Sequence, residues 1–148
     1  MWADKDTMEK WCPLLLRSLK GVILQDLSDQ LLSGVVEVVN CIIEGVDRDD
    51  IITSFSDGDT IQTLFCLLDQ PNEGLVESTT SLLDVLAKRS VIGVVGKIVR
   101  VDRAPHTIMF CTQQYPENST ILSSCFSLAS SIAVARDYVV HGEIAENG

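Results

Sequence analysis

A chain of 148 residues with 46 % hydrophobic and 22 % charged residues can bury a continuous core, and this composition excludes a disordered chain. Eleven Lys and Arg against 21 Asp and Glu give a net charge of −10, which disfavours nucleic acid and anionic membranes as partners. No apolar stretch approaches the roughly 20 residues of a membrane span, and the first ten residues do not resemble a signal peptide. The sequence therefore predicts an intracellular protein, cytoplasmic or nuclear.

The first third of the chain has the apolar spacing of two helices, over 11–23 and 30–42. The second of these helices places Leu31, Val38 and Ile42 on one face. An acidic concentration follows, and such a run is typical of a solvated connector that would attract a basic segment if it binds anything. Its members are Glu37, Glu44, Asp47, Asp49, Asp50, Asp57 and Asp59.

The middle third predicts a short helix over 48–55, a second helix from Gly58 and a long helix over 75–87. Sliding the chain against itself by 45 residues aligns the long helix with 30–42 and with 120–132. A constant offset in three copies is stronger evidence for a repeat than helical spacing alone. The aligned apolar sets are Leu31, Val76 and Ile121, then Val38, Leu83 and Leu128, then Ile42, Ala87 and Ile132.

The last third extends the same register. Phe65-Cys66 aligns with Phe110-Cys111, and Pro71 aligns with Pro116. A proline after a helix is a stop signal because it cannot continue the hydrogen-bond ladder. The pattern therefore predicts a helix, a turn and a longer helix in both copies.

A repeat of 45 residues lies in the range of armadillo and HEAT proteins. The stretch from Gly58 to Ser90 resembles the armadillo consensus, with Ile61, Leu64 and Leu67-Leu68 before the Pro71 turn and Val85-Leu86-Ala87 near its end. The flanking copies match more loosely. The resemblance implies an all-α chain that forms a right-handed α-solenoid of about three armadillo-like repeats, a non-catalytic fold that binds proteins. The alternative architecture is a compact helical bundle.

The expected organisation is a single domain over 1–148, either as it stands or as part of a longer solenoid. Its repeats are predicted at roughly 5–46, 47–90 and 91–135, followed by a polar tail over 142–148. Each repeat buries its apolar faces against its neighbours, so the stack shares one core.

The sequence predicts no enzyme, no cofactor and no metal site. Gly93-Val-Val-Gly-Lys97 lacks the spacing of a phosphate-binding loop, and a short helix is the preferred interpretation. His106 and His141 have no metal ligands at a recognisable spacing. The five cysteines, Cys12, Cys41, Cys66, Cys111 and Cys125, are interpreted as reduced core residues.

The armadillo resemblance also implies a binding groove along the long helix of each repeat. The expected partner is a helix or short linear motif, with a basic segment as one candidate. A structural domain that forms homodimers through apolar solenoid surface remains the alternative. The residues carried over to the groove are Val36, Asn40, Glu44, Ser81, Val85, Arg89, Phe126 and Ser130, with Val134 one turn further on.

Overall fold

The computed structural model describes residues 5–23, 28–45, 49–89 and 94–147, and most of the side chains between Leu14 and Val134. These residues form eight helices and no strand, which confirms the prediction of an all-α chain. The helices are α1 (Lys5–Ile23), α2 (Asp29–Gly45), α3 (Asp49–Phe55), α4 (Gly58–Leu67), α5 (Glu73–Arg89), α6 (Gly96–Val99), α7 (Ala104–Gln114) and α8 (Ser119–Asn147).

Aspartate or asparagine side chains cap the first turns of α4, α5 and α8. Each accepts a hydrogen bond from the backbone N–H three residues further on, a group that has no partner inside the helix. Pro71 and Pro116 lie in the turns before α5 and α8, as the sequence predicts. The N···O distances are 2.9 Å from Thr60 to Asp57, 3.0 Å from Leu75 to Asn72 and 3.0 Å from Ile121 to Asn118.

Three long helices pack side by side in the order α2, α5, α8. Each also contacts the helix that precedes it in its own third of the chain, so that α1 packs on α2, α4 on α5 and α7 on α8. The short helices lie between successive pairs, since α3 contacts α1 and α5, and α6 contacts α4 and α8. The central helix α5 is accordingly the most covered, with residues such as Leu82, Leu83 and Leu86 fully buried.

Cationic side chains fasten neighbouring thirds of the chain together at helix C-terminal ends. Lys97 Nζ donates to the carbonyl of Ser56 at 2.8 Å, just after α3. Lys20 Nζ donates to the carbonyl of Ser54 at 3.3 Å and pairs with Asp57. The C-terminal end of a helix carries carbonyls without intrahelical partners and a partial negative charge, which is why cations bind there.

The burial of residues on α2 changes the 45-residue alignment between the first two repeat copies. Leu31 and Val38 are 60 % and 49 % exposed, whereas their aligned partners in α5 and α8 are buried. The buried residues are instead the next ones along, Leu32 and Val39. Residue pairs such as Leu31-Leu32 let the sequence support either register, because one residue turns a helical position by about 100°. An offset of 44 residues therefore relates α2 to α5.

The alignment of α4 with α7 changes for the same reason. Phe65 is buried and Phe110 is 48 % exposed. Conversely, Cys66 is exposed and Cys111 is buried. Cys41 is exposed as well, so the prediction that the cysteines are core residues holds for Cys111 and Cys125 and is wrong for Cys41 and Cys66. The side chain of Cys12 lies outside the described side chains.

The described segments contain no helix that combines the length and the apolar composition needed to cross a membrane. The final helix α8 continues to Asn147, through the stretch 142–147 that the sequence marks as polar.

Candidate partner-binding surface

The side-by-side packing of α2, α5 and α8 leaves one side of α5 open. Glu77, Ser81 and Val85 follow one another by a helical turn and are half-buried, between neighbours on α5 that are almost all buried. On α2, Glu37 and Glu44 lie at the edge that meets α5, since Glu37 Oε1 accepts from Ser78 Oγ at 3.4 Å. We call the surface made by Glu37, Asn40, Glu44, Glu77, Ser81 and Val85 the ladder face.

The ladder face contains four of the eight residues that the sequence assigns to a groove: Asn40, Glu44, Ser81 and Val85. The prediction that Val36 lines the groove is wrong, because its side chain is fully buried in the core, where no partner can reach it. The physical reason is the shifted register. With the 44-residue offset, the counterpart of Ser81 on α2 is Glu37 rather than Val36.

The side chain of Arg89 makes contacts that stabilise the fold and does not line an open groove. Its Nη1 donates to the carbonyl of Ile43 at 3.0 Å and to that of Glu44 at 3.3 Å. These carbonyls are among the last of α2, where no intrahelical donor exists. Arg89 therefore caps the C-terminal end of α2 and ties it to the end of α5.

Phe126 and Ser130 are both exposed on α8. Ser124 and Leu128 are buried, and Phe126, about half a turn away on the helix, is 65 % exposed. Ser130 is exposed and Val134 is 56 % exposed, one and two turns further along. Phe126, Ser130 and Val134 therefore lie on the exposed side of α8, and at the 45-residue offset Phe126 and Ser130 are the counterparts of Ser81 and Val85.

The charge on the ladder face is negative. Glu37, Glu44 and Glu77 are its ionisable side chains, and Glu37 and Glu44 are exposed. Two cations lie at the C-terminal end of α5: Lys88, whose side chain is 60 % exposed, pairs with Asp84 at 3.2 Å, and Arg89 binds carbonyls. A basic partner would meet the three carboxylates on this surface.

Asn40 adds an unsatisfied polar group to this surface. It lies one turn from both Glu37 and Glu44, and its Oδ1 is buried with no hydrogen-bond partner among the described residues. Leaving such an acceptor unpaired costs about 1–3 kcal/mol. Its counterpart at the 44-residue offset is Asp84, whose Oδ1 is also buried without a partner.

Reactive groups do not converge elsewhere in the described part of the chain. No group of three or more His, Cys, Asp or Glu residues there has the arrangement of a metal site. In the glycine-containing segment, the ammonium group of Lys97 donates hydrogen bonds to the carbonyls of Thr53 and Ser56 and so links helices within the chain. Gly93 lies outside the described residues. His106 is exposed in the first turn of α7, and the side chain of His141 lies outside the described side chains.

Two buried thiols meet between α7 and α8. Cys111 Sγ lies 3.9 Å from the carbonyl oxygen of Leu68. A hydrogen bond with Cys111 and burial both raise the pKa of Cys125, so this thiol stays protonated and is a poor nucleophile. The pair is suited to core packing.

The sequence interpretation placed Glu37 in a solvated acidic run but not in the groove, and it missed Glu77 and the cross-links made by Lys97 and Arg89. The lysine and arginine contacts join residues more than 40 positions apart, and no local pattern signals such a contact. The caps Asn72 and Asn118 did have a signal, since each follows a proline by one or two residues and precedes an apolar helix.

Comparison of the chain with protein-family models, with curated proteins and with solved structures gives no match.

Proposed function

We propose that this chain is a non-catalytic protein-binding module, an armadillo-like solenoid whose three repeats are α1–α2, α3–α5 and α6–α8. The serial packing of α2, α5 and α8, each supported by the helix before it, supports this reading. In a helical-repeat stack each unit contacts its neighbours and the long helices line one continuous surface. A compact bundle would instead close its helices around a single core, which leaves no such row.

The observation that carries the proposal is the ladder face, which is acidic and mostly polar. Its carboxylates belong to two different helices, and Glu37 marks the seam between them through its contact with Ser78. The unpaired Asn40 Oδ1 lies along the same line. A surface of this kind offers charge attraction to a ligand that lies across the seam.

The partner that fits this surface is a basic helix or short basic segment of another protein. Lys and Arg side chains would pair with Glu37, Glu44 and Glu77, while Val85 supplies a small apolar contact. The net charge of −10 would speed the approach of such a partner and disfavours nucleic acid and anionic membranes. An intracellular location, cytoplasmic or nuclear, is part of the proposal.

The absence of catalysis is likewise proposed from the chemistry of the groups. The nucleophiles with buried positions, Cys111 and Cys125, contact one another, and the more exposed serines lie on helices without an adjacent base among the described hydrogen bonds. Lys97 and Arg89 are committed to backbone carbonyls. We therefore propose binding, and not catalysis, as the function of this chain.

The test is a fluorescence anisotropy titration with an amphipathic Leu/Lys peptide about five turns long. A scrambled peptide of the same composition tests whether one helical face is recognised, and a Leu/Glu peptide tests the sign of the charge. We expect saturable binding of the Leu/Lys peptide alone. Equal affinity for the Leu/Lys and Leu/Glu peptides would contradict an acidic binding surface.

Substitutions on the ladder face test where the Leu/Lys peptide binds. The triple variant Glu37→Gln, Glu44→Gln, Glu77→Gln should weaken the Leu/Lys peptide by about tenfold, which corresponds to about 1.4 kcal/mol. The matched control removes three exposed carboxylates outside the ladder face: Asp59→Asn, Asp69→Asn, Asp102→Asn. Both variants change the net charge by the same amount. An equal loss in the two would assign the effect to overall charge and remove the ladder face from consideration.

A further inference from the structure

The burial of residues on α5 and α8 supports the 45-residue offset that the sequence predicts between these two helices. Val76 and Leu83 on α5 are fully buried, and so are their counterparts Ile121 and Leu128 on α8. Residues of α8 that lie 45 positions after a ladder-face residue of α5 therefore occupy the same angular position on their helix.

The helices α5 and α8 run side by side in the same direction, as α2 and α5 do. At their N-terminal ends, Asn118 Nδ2 donates to Glu73 Oε2 at 2.8 Å. A hydrogen bond with Cys111, burial and the negative charge of Asp84 all raise the pKa of Cys125, so Asp84 lies near this thiol. Asp84 and Cys125 are both further along their helices than the first contact. The ladder-face counterparts on α8 therefore continue the same side of the helix row.

These counterparts on α8 are uncharged, and two of them are apolar. Phe126 is 65 % exposed, and Leu122 is half-buried. No Asp, Glu, Lys or Arg occurs between Glu117 and Arg136, so this part of α8 contributes no charged side chain to the surface. The residues that correspond to Glu77, Ser81 and Val85 are, in that order, Leu122, Phe126 and Ser130, and we call them the α8 strip.

One row of corresponding positions shows how the surface changes along the helix row. Glu37 on α2, Ser81 on α5 and Phe126 on α8 are successive counterparts, at offsets of 44 and then 45 residues. The row begins with an exposed carboxylate, crosses a small hydroxyl group and ends on an exposed phenyl ring. The other carboxylates, Glu44 and Glu77, also belong to α2 and α5. The ladder face and the α8 strip together are thus acidic at one end and apolar at the other.

The charge on α2 and α5 indicates what covers the phenyl ring. An exposed apolar group attracts other apolar groups without selecting among them, whereas carboxylates select a cation. Packed helices lie about 8–10 Å apart, so two such steps separate Glu37 from Phe126 by about 16–20 Å. One helical segment about three to four turns long spans this distance. A cation held by the carboxylates can therefore belong to the same segment as an apolar side chain over Phe126.

We propose that the segment bound on this surface is divided along its length, with Lys or Arg over the carboxylates of α2 and α5 and a large apolar side chain over Phe126. This inference rests on the proposed function, because it specifies the partner that the ladder face binds. The bound segment has one orientation across the helix row. Turning it end for end would place its cations over Phe126 and its apolar groups over Glu37 and Glu44.

Three helical peptides, each about five turns long, test the division by fluorescence anisotropy. In the block peptide, one face carries lysine in the first two turns and leucine in the last two. The glutamine peptide replaces those leucines by glutamine, which has a similar helix propensity. The mixed peptide has the composition of the block peptide, with lysine and leucine alternating along the face. We expect the block peptide to bind about tenfold more tightly than the other two. Equal affinity for the block and mixed peptides would overturn the inference.

The variant Phe126→Ser tests whether the leucines contact the α8 strip. It should weaken the block peptide by about tenfold and leave the glutamine peptide unchanged, because only the leucines lose a partner. The matched control is Phe110→Ser, which removes a phenylalanine of α7 that is 48 % exposed. We expect the control to bind both peptides as wild type does. No loss in Phe126→Ser, or the same loss in Phe110→Ser, would remove Phe126 from the site.

The variant Phe126→Glu gives α8 the carboxylate that α2 carries at the corresponding position. It should reverse the preference, so that a peptide with lysine in all four of those turns binds more tightly than the block peptide. Circular dichroism like that of wild type confirms that both Phe126 variants are folded. A Phe126→Glu variant that still prefers the block peptide would contradict contact between its leucines and α8.

The triple variant Glu37→Gln, Glu44→Gln, Glu77→Gln separates this inference from the proposed function. It should weaken the block and glutamine peptides alike, because both carry the same lysines. If it weakens both while Phe126→Ser weakens neither, the ladder face remains a binding surface and the α8 strip does not belong to it. If wild type binds no peptide, or if the triple variant binds both peptides as wild type does, the proposed function fails and this inference fails with it.

Discussion

Replacing Arg89 by methionine tests whether this residue caps α2 or serves a partner. The armadillo resemblance assigns Arg89 to a groove, whereas in the structure its guanidinium binds the carbonyls of Ile43 and Glu44. Methionine keeps a long apolar stem and removes the charge and the donors, so most of the packing is retained. The change therefore isolates the contribution of the cap.

The expected loss follows from the two hydrogen bonds. A hydrogen bond that involves a charged group contributes about 1.5–3 kcal/mol. The bond to Ile43 is 3.0 Å long and partly buried, and the bond to Glu44 is 3.3 Å long and exposed, so water competes for the second. We expect Arg89→Met to lower the free energy of unfolding by about 2 kcal/mol. For a chain of this size that corresponds to a fall in Tm of about 4–8 °C.

The assay is urea unfolding followed by far-ultraviolet circular dichroism, with Arg100→Met as the control. Arg100 is exposed in the turn after α6, so its loss should change stability by less than about 0.5 kcal/mol. Arg89→Lys keeps a cation at the same place and should fall between wild type and methionine. Equal stability of Arg89→Met and Arg100→Met would refute the capping role and return Arg89 to the list of candidate binding residues.

Four further substitutions probe other positions by the same unfolding assay. Lys97→Met should cost about 1–2 kcal/mol, because the Lys97 ammonium donates to the Ser56 carbonyl at 2.8 Å. Leu83→Ala should cost about 2–5 kcal/mol at a fully buried site, whereas Leu31→Ala, at a position 60 % exposed, should cost less than about 0.5 kcal/mol. Asp57→Asn keeps the helix cap but should remove part of the acid sensitivity of the fold.

The sign of the Asp57 effect follows from its pKa. Burial raises that pKa, but hydrogen bonds from Lys20 and from the Thr60 backbone outweigh it, so the pKa of Asp57 lies below its usual range. The ionised form thus stabilises the fold above the unfolded-state pKa, and this contribution disappears as pH falls through the folded-state pKa. An Asp57→Asn variant that loses stability below pH 4 as steeply as wild type would contradict the Lys20 pairing. Equal losses for Leu31→Ala and Leu83→Ala would contradict the revised register.

The helices themselves were predictable because the apolar spacing agrees with the prolines that mark where helices end. Pro71 and Pro116 end one helix and precede the next, and the apolar positions of α5 recur at three and four residues. The prediction of an all-α chain needed only this local information. The arrangement of the helices in space rests on contacts between distant residues, which spacing alone does not fix.

The candidate binding surface was only half predictable, because the internal alignment of α2 with α5 was wrong by one residue. Aligning α2 with α5 by 45 residues selects Val36, and aligning them by 44 selects Glu37. The two side chains point about 100° apart, so one is in the core and the other on the surface. Adjacent apolar residues on α2 satisfy both registers equally, and only packing against α5 decides between them.

Peptide binding at the ladder face should weaken as salt is added, because the residues proposed to hold the peptide are carboxylates. In the proposed complex, Glu37, Glu44 and Glu77 attract the Leu/Lys peptide through charges that are exposed or half-buried, and added salt screens such charges over distances of about 10 Å at 0.1 M. Raising the salt concentration should therefore lower the affinity of wild type for the peptide and should change the affinity of the triple glutamine variant less. Anisotropy titrations at two salt concentrations measure both effects. A wild-type affinity that does not change with salt would contradict charge attraction at the ladder face.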